Sequence, residues 1–145
     1  MKTQLTLKHL APYLPYGLKV QYLELDEHGM QEGGIANLQG LYCDDDIATF
    51  SDCMDYYFGQ DNDVEIKPIL RPLSDLTKEI NHDKQVFRPI DTLDMTFLDF
   101  EYFHSNEGLD LSKVTYLDAI RLLSWHFDIF GLISEGLAID LNTVK

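Results

Sequence analysis

The stretch LKVQYLEL at residues 18–25 decides the class of fold, because its side chains alternate between apolar and polar. Every second residue from Leu18 to Tyr22 is apolar, and a period of two predicts a β-strand with one buried face. Further strands are predicted at residues 35–43, 47–51, 54–58 and 64–68. Gly40 within the first of these predicts a β-bulge, and Gly33-Gly34 ahead of it predicts a turn.

The second half of the chain carries helical patterns. Thr115 followed by Asp118 fits an imperfect capping box, in which Asp replaces the usual Glu. Apolar residues then recur at the helical period as far as Ile133, which predicts a buried helix over residues 115–134. Shorter helices are predicted at residues 5–14, 75–80 and 93–103. Strands followed by helices predict an α+β fold, with an antiparallel sheet from the N-terminal half packed against helices of the C-terminal half.

The length of 145 residues predicts a single domain over residues 1–145. Within it we expect three parts: an acidic β-rich part at residues 17–67, a connector with a short helix and a strand at residues 68–92, and a helical part at residues 93–145. Arg71 lies in the connector before Pro72, and a residue before proline favours extended backbone.

The composition predicts a soluble, cytoplasmic protein. Hydrophobic residues make up 45% and charged residues 25% of the chain, both ordinary for a globular domain. No apolar signal segment follows Met1, and ionisable side chains interrupt the most apolar stretch, at residues 119–138, so no membrane association is expected. Cys43 and Cys53 are too few for a disulfide framework and indicate reduced thiols; the alternative is a pair formed where adjacent strands bring them together.

The distribution of charge is the most unusual feature of the sequence. The 47 residues between Lys19 and Lys67 contain twelve carboxylates and no lysine or arginine, so they hold −12 of the formal net charge of −14. Such a charge is either tolerated in solvent or directed at a basic partner. Net negative charge also disfavours direct binding to nucleic acid.

Eight of these carboxylates are predicted to bind a partner. Residues i and i+2 of an extended strand face the same side, about 6.6 Å apart. Phosphates along a nucleic-acid strand have a similar spacing, about two rises of 3.4 Å, so an acidic sheet edge would imitate a phosphate track for a basic protein. The alternative is a solvated acidic face that only confers solubility. The predicted residues are Glu24, Asp26, Asp44, Asp45, Asp46, Asp61, Asp63 and Glu65.

Motifs for catalysis or metal binding are absent from the sequence. There is no P-loop, no G-x-S-x-G and no G-x-G-x-x-G, and no two of the five histidines are spaced i, i+4. Glu65-Ile66-Lys67 is only faintly similar to a nuclease core, and the basic track that a nuclease needs is missing. His126 and Trp125 are interpreted as core residues. We therefore expect no enzymatic activity, no catalytic residues, no metal site and no cofactor.

Three segments of the sequence are similar to known proteins: residues 10–15, residues 67–80, and residues 125–133 with 136–140. They resemble uncharacterised small proteins of bacterial phages and prophages. The resemblance covers about a quarter of the chain. It implies a phage or mobile-element origin, and it implies no activity and no role for any residue.

Two functions from different classes remain open. The first is an acidic phage-type binding protein that inhibits a basic nucleic-acid-handling or defence protein, from the host or the phage, by charge mimicry. The second is a structural or assembly protein of a phage particle, which forms a homo-oligomer through apolar surface and uses its acidity only for solubility. Binding that weakens steeply with salt separates the first from the second.

Overall fold

The computed structural model describes residues 5–25, 31–51, 54–59, 64–93, 104–105, 108–109 and 114–143. Its strands are β1 (Lys19–Leu25), β2 (Gln31–Tyr42), β3 (Ile47–Phe50), β4 (Met54–Tyr57), β5 (Val64–Leu70), β6 (Ile80–His82), β7 (Gln85–Phe87), β8 (His104–Ser105), β9 (Gly108–Leu109) and β10 (Ile139–Asp140). Its α-helices are α1 (Leu7–Leu10), α2 (Pro89–Thr92) and α3 (Tyr116–Ser124), and 3₁₀ helices cover Ala11–Tyr16, Leu73–Thr77 and Leu141–Thr143.

A mixed sheet forms the centre of the described structure, with the strand order β10-β5-β1-β2-β3-β4. The neighbours from β5 to β4 pair antiparallel, whereas β10 pairs in parallel with β5. The hairpins β6–β7 and β8–β9 form separate small sheets. The α+β class is confirmed, and the N-terminal strands pair antiparallel as predicted, but the sheet as a whole is mixed, because the chain returns after α3 by a long crossover that allows β10 to pair in parallel.

β2 is long and serves two partners. Its first half pairs with β1, its second half pairs with β3, and the register shifts between Leu38 and Gly40. A bulge bends a strand, so this position redirects the second half of β2, as the prediction for Gly40 anticipated. The turn predicted at Gly33-Gly34 is wrong: both residues lie inside β2, opposite Leu23 and Tyr22.

The first hydrophobic core lies on the inner face of the sheet. Inner side chains of the strands, such as Val20 and Ala48, are fully buried there. Leu10 and Tyr13 from the N-terminal helical segment cover them, together with Leu132 from the segment after α3. The expectation that C-terminal helices cover the sheet is therefore met only in part, since the N-terminal helical turns share that role.

A second hydrophobic core lies beside the first. It joins the 3₁₀ helix Leu73–Thr77, the β6–β7 hairpin, α3 and the residues after it, with Leu76, Leu122 and Phe127 fully buried. Leu123 and Phe130 pack against both cores. The two clusters therefore meet along α3 and the segment that follows it.

The helix predicted over residues 115–134 is shorter in the structure. Thr115 is its N-cap, as predicted, because its hydroxyl accepts a hydrogen bond from the Asp118 N–H at 3.2 Å. The helix ends at Ser124, and His126 adopts a left-handed conformation with φ of 63°. The next residue, Phe127, forms a parallel β-bridge with Arg71. Its side chain is buried in the second core, although it no longer belongs to the helix.

Shorter predictions shift by a few residues. The helix predicted at residues 75–80 is a 3₁₀ helix over Leu73–Thr77, with Pro72 as its N-cap. The turn between β6 and β7 is centred on Asp83 and Lys84, and both of these have positive φ angles. The helix predicted at residues 93–103 falls mostly outside the described residues, as residues 94–103 are not among them.

Candidate functional site

The outer face of β2, β3 and β4 is the first candidate site. The register places Tyr42 opposite Ile47, and Ile47 opposite Tyr57. Directly opposite residues of a sheet point to the same face, so these three form one row across the strands. The neighbouring row contains Ala48, which is fully buried and therefore marks the inner face. The row of Tyr42, Ile47 and Tyr57 consequently points outward, and the two tyrosines are 58% and 41% exposed.

A turn of three aspartates borders this row. Residues 43–46 connect β2 to β3, and Asp44, Asp45 and Asp46 are all exposed. Asp46 has φ of 53°, a left-handed conformation that Asp tolerates better than most residues. Its carbonyl accepts a hydrogen bond from the Phe58 N–H at 2.9 Å, which ties the turn to the end of β4.

Asp55 adds a fourth carboxylate to the same face. It lies opposite Thr49 and two residues before Tyr57, so it shares the outward side of β4 and is exposed. In the part of the chain that the structure describes, no basic side chain lies within 4.0 Å of Asp55 or of the three aspartates in the turn. We call this surface the acidic tyrosine face, defined by Tyr42, Asp44, Asp45, Asp46, Ile47, Asp55 and Tyr57.

The other predicted partner-binding residues lie elsewhere. Glu65 is exposed on β5, with its carboxylate 3.8 Å from the Lys67 ammonium. Burial raises the pKa of Tyr56 on β4, and the negative charge of Glu65 raises that pKa further, so Glu65 acts electrostatically on β4. Glu24 lies on β1, with its backbone opposite Glu32 and Val64. Asp26, Asp61 and Asp63 lie outside the described residues.

The phosphate-like spacing of about 6.6 Å between residues i and i+2 requires an extended strand. Asp44 and Asp46 lie in a turn, so the prediction of strand spacing for this pair is wrong. Their charges are gathered by a tight reversal of the chain and not by an extended row. The exposed tyrosines beside them were missed by the sequence reasoning, because alternation alone does not say which of two tyrosine-bearing faces points outward.

Arg71, His82 and His126 form a second cluster, between the β6–β7 hairpin and the end of α3. The two imidazole rings meet edge to face, with centroids 5.2 Å apart. Arg71 Nη2 lies 3.4 Å from His82 Nδ1 and donates to the Asn81 carbonyl at 2.9 Å. His126 Nε2 donates to the Tyr16 carbonyl at 2.6 Å, in keeping with the interpretation of His126 as a hydrogen-bonded residue of the interior.

Burial has the largest effect on the pKa values of His82 and His126. It lowers the pKa of both histidines from the usual 6.5, and the nearby Arg71 charge lowers both pKa values further. Asp83 opposes this effect at His82, and the hydrogen bond to Tyr16 opposes it at His126. Both rings are therefore neutral at pH 7, which allows them to lie beside a guanidinium.

A cleft of about 500 Å³ opens beside this cluster. We call it the histidine cleft. It combines an aromatic wall, in which the Phe87 and Trp125 rings are 5.0 Å apart, with polar side chains from the hairpin. Its lining residues are Pro15, Tyr16, His82, Asp83, Gln85, Phe87, Ser124 and Trp125.

The histidine cleft has no clear sequence signal. His126 is far from Arg71 and His82 in the chain, and the three follow no motif, so the fold brings His126 to the other two. Among the described residues, no three His, Cys, Asp or Glu side chains are grouped so that they could hold one metal ion. Cys43 is a free, exposed thiol, and Cys53 lies outside the described residues.

No protein-family model matches this chain, and no curated protein and no solved structure matches it either. The similarity of three strings to phage proteins therefore stays a prediction. Within the described ranges, no helix is long and apolar enough to cross a bilayer.

Proposed function

We propose that the protein is a non-enzymatic, acidic binding protein of phage type that acts in the cytoplasm. Its partner is a basic protein of the host or the phage, of the kind that handles nucleic acid or takes part in defence. Binding to the acidic tyrosine face competes with nucleic acid for the partner's basic surface. The phage origin rests on the resemblance of residues 67–80 and 125–133 to phage proteins.

The observation that carries the proposal is a group of exposed aspartates that have no basic counter-charge among the described residues. Asp44, Asp45, Asp46 and Asp55 are exposed, and no described base lies within ion-pairing distance of them. Some other acids are paired, as in the bidentate contact of Arg88 with Asp91, where both N···O distances are 2.9 Å. Unpaired charges of one sign raise the rate of encounter with a partner of the opposite sign.

The proposed mechanism is electrostatic. The surplus of negative charge attracts a basic surface over about one Debye length, roughly 8 Å at physiological salt. Carboxylates then form charge-assisted hydrogen bonds with arginine or lysine side chains that otherwise bind phosphates. Because these ionic contacts release counterions that were bound to the two charged surfaces, the affinity is expected to fall steeply as salt increases.

The experiment is an affinity pulldown from a host lysate at low ionic strength, with and without duplex DNA as competitor. The proposal expects a basic DNA-binding protein that is retained, and that is displaced both by the DNA and by raising the salt. Recovery of the protein alone, or of partners that ignore DNA and salt, would contradict it.

A matched pair of variants locates the interaction. The triple variant Asp44→Asn, Asp45→Asn, Asp46→Asn removes three negative charges from the acidic tyrosine face and should weaken retention at least several-fold. The control is Glu79→Gln, Asp83→Asn, Glu135→Gln, which removes three exposed charges elsewhere. Equal loss in both variants would mean that only the net charge matters and that the aspartate turn is not the contact.

Assembly into a homo-oligomer is the second candidate function, and exposed apolar side chains favour it. Ile35, Val86 and Leu117 are 47%, 64% and 57% exposed. In that case the acidity serves only solubility, and association should hardly respond to salt. Sedimentation velocity at two salt concentrations separates the candidates, because a salt-insensitive oligomer supports assembly and a monomer at both concentrations excludes it.

A further inference from the structure

The acidic tyrosine face combines two kinds of chemistry in one small area. Tyr42, Ile47 and Tyr57 form an outward row on a sheet whose other outward positions include Lys19, Gln21 and Lys67. Neighbouring strands are about 4.8 Å apart, so β2 and β4 are on the order of 10 Å apart across this row. Exposed aromatic side chains in such a row are typical of the central contacts of protein interfaces.

Carboxylates border the row on two sides. Asp55 is two residues before Tyr57 on the same face of β4, and residues i and i+2 of a strand are about 6.6 Å apart. The aspartate turn begins two residues after Tyr42. Each tyrosine ring therefore has a carboxylate from its own segment of chain nearby, and no described base neutralises either carboxylate.

We propose that the acidic tyrosine face selects arginine over lysine, and that its partner is an arginine-rich protein segment. A guanidinium is planar and weakly hydrated, so it can stack on a tyrosine ring while its N–H groups reach a neighbouring carboxylate in a bidentate manner. An ammonium is a compact, strongly hydrated charge that gains less from the ring. The inference rests on the proposed function and names the class of partner and the side chains that choose it.

The test uses two synthetic peptides of equal length and charge, nona-arginine and nona-lysine, and measures their affinities by fluorescence anisotropy at low salt. The native protein should bind nona-arginine at least about five-fold more tightly than nona-lysine. In the double variant Tyr42→Thr, Tyr57→Thr the preference should disappear, while the affinity for nona-lysine stays within about two-fold. Threonine retains the tendency to form strands, so the sheet should persist.

The control variant is Tyr116→Thr, which removes a tyrosine that is 79% exposed at the start of α3 and does not belong to the acidic tyrosine face. It should keep the native preference. Equal affinity of the native protein for the two peptides, or a preference that survives in the double variant, would overturn the inference and leave the proposed function standing. Absence of binding to either peptide at low salt would overturn both. The comparison of peptides on the native protein needs no variant, so it holds even if a substitution disturbs folding.

Discussion

The Tyr13 hydroxyl donates a hydrogen bond to the backbone carbonyl of Phe127 over 2.5 Å, across 114 residues of chain. Both residues are fully buried. Burial is the main reason that the pKa of Tyr13 lies far above its usual value, and the negative charge of Asp128 raises that pKa further. The hydroxyl therefore stays protonated and links the N-terminal helical segment in the first core to Phe127 in the second.

Removing this hydroxyl should cost a moderate amount of stability. In Tyr13→Phe the Phe127 carbonyl keeps one donor, because the Ile129 N–H lies 3.0 Å from it. We therefore expect the free energy of unfolding to fall by about 1 kcal/mol, the net value of one hydrogen bond. Urea denaturation measures this. Tyr42→Phe, at an exposed position, is the control and should change the free energy by less than about 0.5 kcal/mol. A larger effect at Tyr42 than at Tyr13 would contradict the prediction.

Asp128 should make the protein relatively more stable in acid. Burial raises the pKa of its carboxyl, although the carboxylate accepts hydrogen bonds from the Leu132 and Ile133 N–H groups at 2.8 and 2.9 Å. A raised folded pKa means that the folded state holds the proton more tightly than the unfolded state. The resulting stability is fully present below the ordinary value of 3.8 and is lost as pH rises through the folded pKa.

The comparison with Asp128→Asn isolates this effect. The difference in the free energy of unfolding, native minus variant, should decrease between pH 4 and pH 8 when both proteins are denatured with urea. Other titrating groups are shared by the two proteins and largely cancel. An Asp128→Asn difference that increases with pH would contradict the explanation.

The strands of the main sheet follow from local sequence, because alternation survives where one face is buried. β1, β3, β4 and β5 lie within two residues of the ranges predicted for them. The glycine pair at residues 33–34 predicted a turn but lies inside β2, and the reason for glycine there is not local. A Cβ on Gly34 would lie 2.8 Å from the Tyr22 hydroxyl oxygen, so the glycine makes room for an aromatic ring on the neighbouring strand.

The candidate sites depend even more on contacts between distant segments. The three consecutive aspartates of the turn are evident in the sequence. The outward row of tyrosines can be recognised only when the register between β2, β3 and β4 is known. The end of α3 at Ser124 also depends on tertiary structure, because the N–H of Asp128 donates to the Arg71 carbonyl at 2.9 Å and draws the chain into an extended path. Helical periodicity continues through that point, so sequence alone favoured a longer helix.

The histidine pair should make the protein less stable below pH 6.5. Burial lowers the pKa values of His82 and His126, so the unfolded state binds protons more readily than the folded state. Stability is therefore fully present above about 6.5 and is lost as pH falls towards the folded pKa values. Protonation would place new positive charge beside Arg71, which already lies 3.4 Å from His82, with Asp83 as the nearby carboxylate.

The variant His126→Asn tests the predicted loss of stability at low pH. Asparagine is chosen because it tolerates the left-handed conformation found at this position. The native free energy of unfolding should fall more steeply from pH 7 to pH 5 than that of the variant. The pKa of His9 is also lowered by burial, but His9 is present in both proteins and its effect cancels. Parallel curves for the native protein and the variant would show that His126 does not titrate differently on folding.

Alanine substitutions at the adjacent glycines of β2 should have unequal effects. A Cβ on Gly33 would lie 2.7 Å from the backbone carbonyl oxygen of Tyr22, and that oxygen cannot move without disturbing the β1–β2 register. A Cβ on Gly34 meets the end of the Tyr22 side chain, which is only half-buried and can turn away. We expect Gly33→Ala to lower the free energy of unfolding by about 2 kcal/mol and Gly34→Ala by about 1 kcal/mol or less.

A double-mutant cycle with Tyr22→Leu separates the two causes. In the Tyr22→Leu background the cost of Gly34→Ala should nearly vanish, because the ring is gone, whereas the cost of Gly33→Ala should persist, because the carbonyl remains. Urea denaturation of the single and double variants gives both coupling energies. A Gly34→Ala cost that equals the Gly33→Ala cost, and that is unchanged by Tyr22→Leu, would show that backbone freedom and not the Tyr22 ring requires glycine at position 34.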